Sequence, residues 1–182
     1  MNMDQKLKIA VKTLKTGGVI AFPTETVFGL GARLKDKKAV ARIYKIKGRP
    51  RTKPLQILVA SLKQAKELGK FTKEALAVAA KGWPGPLTLV VEKKRTVPKI
   101  VTGGKSTVGL RIPDHKIALE LIKQCGPLAA TSANESGEKP ALTARQVKKL
   151  LPEIDYILPG RVGSGKPSKV VDATKGLKVL RA

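Results

Sequence analysis

Six basic side chains stand between Arg42 and Lys53 with no acidic residue among them: Arg42, Lys45, Lys47, Arg49, Arg51 and Lys53. Pro50 and Pro54 bar a helix through this stretch and Gly48 lets the backbone turn tightly, so KGRPRTKPL (47–55) is expected as a loop. Lys47 and Arg49 flank that glycine. In an extended turn both heads lean to one side, a point charge beside a planar fork, which suits a polyphosphate. The same residues also fit a solvated basic loop. Three further groups could do chemistry. Thr24, Glu25 and Thr26 follow the apolar run VIAF (19–22), with Gly29 and Gly31 beyond them. Thr131, Ser132 and Asn134 follow PLAA (127–130). Arg111 closes the apolar strand TVGLRIP (107–113). Short polar groups at strand carboxyl ends are well placed for a small molecule in an open α/β sheet, though both stretches also fit plain capping or Asx/Ser turns. An arginine in an apolar strand is costly unless it meets a carboxylate, supplied by the protein or by a ligand.

Other chemistries are poorly provided for. One histidine, His115, and one cysteine, Cys125, exclude a Cys/His zinc cluster and an internal disulfide. His115 reads as a first-turn surface residue and Cys125 as a small hydrophobe. GRVGSGKPS (160–168) falls short of a P-loop, because Pro167 follows Lys166 and a strand follows Ser168 where a helix is required. What remains is a cleft rich in cations and hydroxyls. It suits holding a nucleoside triphosphate and a carboxylate-bearing small molecule in line, where positioning and charge stabilisation supply most of the rate.

The elements that must position these groups alternate. Helices are expected over residues 4–15 (capped by Asp4), from Asp36 through KKAVARIYKIK, from Ser61, from Thr72, from Asp114 and from Thr143. Strands are expected at VIAF, LQILVA (55–60), LTLVVE (87–92), TVGLRIP, PLAA, IDYIL (154–158), VVDA and a final strand ending in Arg181. Trp83, on the rigid GWPGP corner, reads as packing. This is an α/β chain of one domain, 1–182, with a core almost wholly aliphatic since aromatics are only 3%. Lys and Arg number 37 against 13 acids, a formal charge of +24, so a polyanion is expected as substrate or partner. No signal peptide or membrane span is visible, and a soluble cytoplasmic protein is expected.

Six blocks taken together (FPTETVFGLGA, YKIKGRPRTKPL, WPGPLTLV, STVGLRIPDH, PLAATSANESGEKP and KPSKVVDAT) resemble, in order and spacing, the TsaC/YrdC family of threonylcarbamoyl-AMP synthases, from about Gly17 to Arg181. The resemblance implies a twisted α/β sheet around a positively charged cavity. It also implies an enzyme that joins L-threonine, bicarbonate and ATP into threonylcarbamoyl-AMP and pyrophosphate. That product feeds N6-threonylcarbamoyladenosine (t6A) formation in tRNA through separate transferase proteins. Carried over by motif, Lys47 and Arg49 would be catalytic, and Lys47, Arg49, Ser132 and Asn134 would contact the ATP phosphates or their surroundings. Arg111 would hold the threonine carboxylate, with Thr26 and Ser168 near it; Thr107 and Arg181 would line the nucleotide side. Mg2+ would come with ATP, with no dedicated protein ligand set. Phe28 and Lys169 depart from the family pattern, the first lacking a hydroxyl and the second adding a charge. The chain's end at Ala182 implies the short form without a further C-terminal domain, and leaves loop 159–169 as the expected lid.

The rival class is a non-catalytic RNA-binding or ribosome-associated protein, which the +24 charge favours; tRNA or double-stranded RNA binding would also be compatible with the enzyme. Few aromatics for base stacking and the lack of an RRM, KH or zinc-knuckle pattern count against it.

Overall fold

Alternation of side chains along paired strands decides this architecture. The computed structural model describes residues 1–182. In chain order the elements are α1 (Met3–Lys15), β1 (Ile20–Phe22), β2 (Gly29–Arg33), α2 (Lys37–Ile46), β3 (Gln56–Leu58), α3 (Leu62–Leu68), β4 (Gly69–Lys70), α4 (Lys73–Gly82), β5 (Leu87–Lys93), α5 (Lys99–Thr102), β6 (Thr107–Arg111), α6 (Lys116–Cys125), β7 (Leu128–Ser132), α7 (Ala144–Leu150), β8 (Tyr156–Ile157), β9 (Lys169–Asp172) and β10 (Lys178–Arg181). Ten strands form one mixed sheet in the order β10-β9-β5-β6-β3-β7-β2-β1-β8, with β4 beside β5.

One face of the sheet is apolar throughout. Leu30, Ala129, Ile57, Leu110, Leu89 and Val171, one from each of six strands, join residues of α2, α3, α4 and α5 in a core of 32 buried side chains. Each large aliphatic side chain buried there contributes about 1.5–3 kcal/mol. The opposite face is divided. At one end α1 and α6 cover β1, β2 and β7 through Leu14, Leu121, Ile122, Ile20 and Phe22, a second core of 13 residues. The Phe22 ring lies across Gly29 and Gly31, where a Cβ would come within 3.3 and 3.0 Å of it, so these glycines admit the ring. Toward β3, β6, β5 and β9 this face has no helix over it, and there the cavity lies.

Local signals set the boundaries. Ser61, Thr72 and Thr143 cap α3, α4 and α7 as expected, and Asp36 caps α2. Two expected caps differ. Asn2, paired reciprocally with Gln5, starts α1 in place of Asp4, because a capping box satisfies two orphan donors at once. His115, not Asp114, occupies the cap position of α6, without a side-chain cap bond. Strand β2 (Gly29–Arg33) was not expected; its small residues GLGAR conceal it.

Candidate active site

The free sheet face floors a cavity of about 540 Å³, a size ordinary for small-ligand sites. Register brings the floor together: Gln56 of β3 stands opposite Gly109 of β6 and Ala130 of β7, Leu58 opposite Arg111, and Thr88 of β5 opposite Val170 of β9. All of these line the cavity. Of the residues singled out from the sequence, Thr26, Arg49, Thr107, Arg111, Ser132, Asn134, Ser168 and Arg181 also line it. Lys47 does not. The lining carries four cationic side chains, Arg49, Lys105, Arg111 and Arg181, against the carboxylates of Glu138 and Asp172.

Arg111 meets a carboxylate of the protein itself. Its Nη2 lies 2.6 Å from Glu25 Oε1 and donates to Thr26 Oγ1 at 3.1 Å, while Nε donates to the Gly85 carbonyl at 3.1 Å. Thr24 donates its one proton to the Val27 carbonyl, so Thr26 donates to Thr24 and accepts from Arg111. This relay spends both hydroxyl protons. Arg111 is 3% exposed; its Nη1 makes no hydrogen bond within the protein and is not sealed from the cavity. Glu25 Oε2 is buried without a partner.

Loop 47–55 divides its two motif cations. Arg49 keeps to the cavity, held by Nε to the Lys53 carbonyl and by Nη2 to the Pro54 carbonyl at 2.8 Å, which leaves Nη1 uncommitted. Burial lowers its pKa. Lys47, 2% exposed, turns behind the floor. Its Nζ donates to the Ser132 carbonyl at 2.6 Å, to the Asn134 carbonyl and to Asn134 Oδ1 at 3.3 Å. Its own carbonyl accepts the Ser136 amide. Burial first, and Arg49 second, push the Lys47 ammonium down to about 7. Asn134 spends its amide protons on the carbonyls of Glu135 and Glu138, both at 2.7 Å. Lys47 and Asn134 thus tie down the end of β7 and the loop after it, and the Ser132 hydroxyl, free of protein bonds, is what the strand end presents.

On the far side, Arg181 donates through Nε and Nη2 to the Ser168 carbonyl and through Nη2 to Ser168 Oγ at 3.2 Å. Burial, and then Arg111, lower its pKa. Loop 159–168 closes one rim: the amides of Gly163, Ser164 and Gly165 bond to the carbonyls of Thr24, Glu25 and Thr26. His115 is half-buried rather than a surface residue, its Nε2 3.1 Å from the Arg161 carbonyl of this loop. Phe28 is fully buried in the core and Lys169 is exposed on β9.

The profile of the Sua5/YciO/YrdC family, described as "Telomere recombination", matches residues 12–182. The chain belongs to the Sua5/YciO/YrdC family. The threonylcarbamoyl-AMP synthase of Pyrococcus abyssi is 44% identical over 97% of this chain and 53% of its own length, and that of Thiobacillus denitrificans is 36% identical over 93% and 91%. The chain therefore spans about half the length of the Pyrococcus relative. The crystal structure of P. abyssi Sua5 complexed with L-threonine superposes with a TM-score of 0.93 at 42% identity, covering 98% of this chain and 54% of that one. The twisted mixed sheet expected from the sequence is the fold of this family.

Two lining residues of this Sua5/YciO/YrdC cavity and one pairing beside it escaped the sequence. Glu25 was legible as an acid after a strand, but its partner lies 86 positions away. Thr88 and Gln56, hydrogen-bonded at 2.8 Å, sat inside runs read only as buried strands. The signal available was a polar residue inside each apolar run, at a position that shares its face with Leu58 on β3 and Val90 on β5.

Proposed function

We propose that this protein is a threonylcarbamoyl-AMP synthase, a nucleotidyltransferase converting L-threonine, bicarbonate and ATP into threonylcarbamoyl-AMP and pyrophosphate. The observation that carries the proposal is a single cavity floor flanked by a buried guanidinium with an open Nη1, at Arg111, and by Arg49 with the free Ser132 hydroxyl. The synthase names of its relatives support it. The threonine amine and bicarbonate first give a carbamate and water. A carbamate oxygen then attacks the α-phosphorus, the bond from that phosphorus to the bridging oxygen breaks, and pyrophosphate leaves with the electron pair.

In this scheme Arg111 Nη1 takes the threonine carboxylate, with Thr26 and Ser168 shaping that end. Arg49 and Ser132 face the departing phosphates, and Thr107 and Arg181 border the nucleotide. Lys47 acts from behind, and Asn134 from the cavity wall, by fixing the end of β7 that carries Ser132. No group of three or more His, Cys, Asp or Glu side chains converges in the protein; in this scheme Mg2+ enters as part of the ATP substrate. Residues 1–182 form one YrdC-like domain in this proposal, supported by the sheet that runs from β1 to β10. The product passes to t6A transferase proteins acting on tRNA in the cytoplasm, and no helix here is long and apolar enough to cross a membrane.

Pyrophosphate release from ATP and bicarbonate, with and without L-threonine, tests this directly. Release should require threonine and fall at least about 100-fold in Arg49→Ala, the loss typical of removing one preorganised charge-stabilising donor. Release indifferent to threonine would overturn the proposal.

A further inference from the structure

Gln56 opens β3 and is half-buried on the cavity floor. Its Oε1 accepts from Thr88 Oγ1 at 2.8 Å, Thr88 Oγ1 lies 3.0 Å from Ser168 Oγ, and Ser168 Oγ lies 3.2 Å from Arg181 Nη2. The ends of this chain fix its direction. A guanidinium only donates, so Ser168 accepts from Arg181; Thr88 gives its one proton to Gln56, so Ser168 gives its own to Thr88. Turning the amide over would make Gln56 the donor to Thr88, send the Thr88 proton to Ser168 and strand the Ser168 proton without an acceptor. With Oε1 toward Thr88, as the structure has it, every hydroxyl proton of this chain has an acceptor.

The amide Nε2 then keeps two N–H donors with no acceptor in the protein. It is not sealed away, since the buried side-chain atoms lacking a partner are Glu25 Oε2 and His115 Nδ1. This differs from the Arg111-Thr26-Thr24 relay, whose hydroxyl protons end on a backbone carbonyl. Register sets the position of the free donors. Gln56 faces Gly109 on β6 and Ala130 on β7; Arg111 lies two residues beyond the first and Ser132 two beyond the second. Because β6 runs parallel and β7 antiparallel to β3, these lie in opposite directions along the sheet, each about 7 Å away.

We propose that the two Nε2 protons of Gln56 hold the carboxyl group derived from bicarbonate, the carbamate of the amino acid, between the Arg111 end and the Arg49–Ser132 end of the cavity. The proposal rests on the synthase reading and adds a substrate-contacting residue to it. A carbamate has two oxygens, one to attack phosphorus and one to be held. A neutral amide orients the anion while leaving more negative charge on the attacking oxygen than an ammonium would.

Two variants separate this role from support of Thr88. Gln56→Glu keeps an acceptor for Thr88 at nearly the same volume but points oxygen, not N–H, at the carbamate; Gln56→Met removes both. The expected result is a fall in threonine-dependent pyrophosphate release of about 100-fold or more in Gln56→Glu, with the bicarbonate KM raised in both variants. L-threonine binding by calorimetry without bicarbonate should stay within about twofold in Gln56→Glu, which also certifies its fold. Wild-type rates and bicarbonate KM in Gln56→Glu, with loss confined to Gln56→Met, would leave only a structural role and overturn the proposal alone. A wild-type protein that releases no pyrophosphate in response to threonine would overturn the synthase reading and this proposal together.

Discussion

An ammonium ion has three N–H bonds, and around Lys47 stand three carbonyl oxygens, two from the main chain and one from Asn134. Burial opposes the charge that this arrangement uses, holding the ammonium near 7 against about 10.4 in an unfolded chain. The sign follows from linkage. Between those values the unfolded chain carries a proton that the native protein has shed, so native stability gained from this residue is complete above the unfolded value and is lost as pH falls toward 7. Urea unfolding of wild type and Lys47→Met should therefore diverge with pH, wild type gaining up to about 1.4 kcal/mol per pH unit relative to the variant between pH 7.5 and 10. Parallel stabilities would mean that the carbonyls outweigh burial and keep Lys47 charged. None of this was legible in the sequence. Lys47 and Arg49 are chemically alike two residues apart, and only the turn at Gly48, with a φ of 57°, sends one behind the floor and leaves the other on it.

Elements were far more legible than their partnerships. Apolar runs bounded by Pro and Gly marked β1, β3, β5, β6 and β7, and Ser or Thr caps marked three helices, because those signals are local. β2 was hidden by its own fitness for the site: Gly29 and Gly31 are required by the Phe22 ring and lack the bulky β-branched side chains that betray a strand. The rim loop was legible as a Gly-rich segment, yet not its docking. Its three amide bonds to residues 24–26 pass so close at Gly163 that a Cβ there would collide with the Glu25 main chain. Gly163→Ala should lift this rim. Amide exchange at Ser164 and Gly165 should accelerate at least tenfold, equivalent to about 1.4 kcal/mol of local opening. Unchanged protection would show that the Glu25 backbone yields instead.

At the scale of the molecule the formal charge of +24 far exceeds what a cavity with four cations uses. The excess lies outside the site and should give salt-sensitive affinity for nucleic acid without bearing on threonine. Raising salt from 50 to 200 mM should weaken tRNA binding by at least tenfold and change threonine affinity little; tRNA affinity indifferent to salt would refute this. The sheet carries a different consequence. β2 pairs with β7, β5 with β9 and β1 with β8, so each strand waits for a partner made roughly 80 to 135 residues later, a topology whose loop closures are slow. Alternate residues of β5 and β9 are core on one side and cavity on the other. The pocket therefore takes shape only as these long-range pairings close, and a ligand bound across them holds the finished sheet against unraveling.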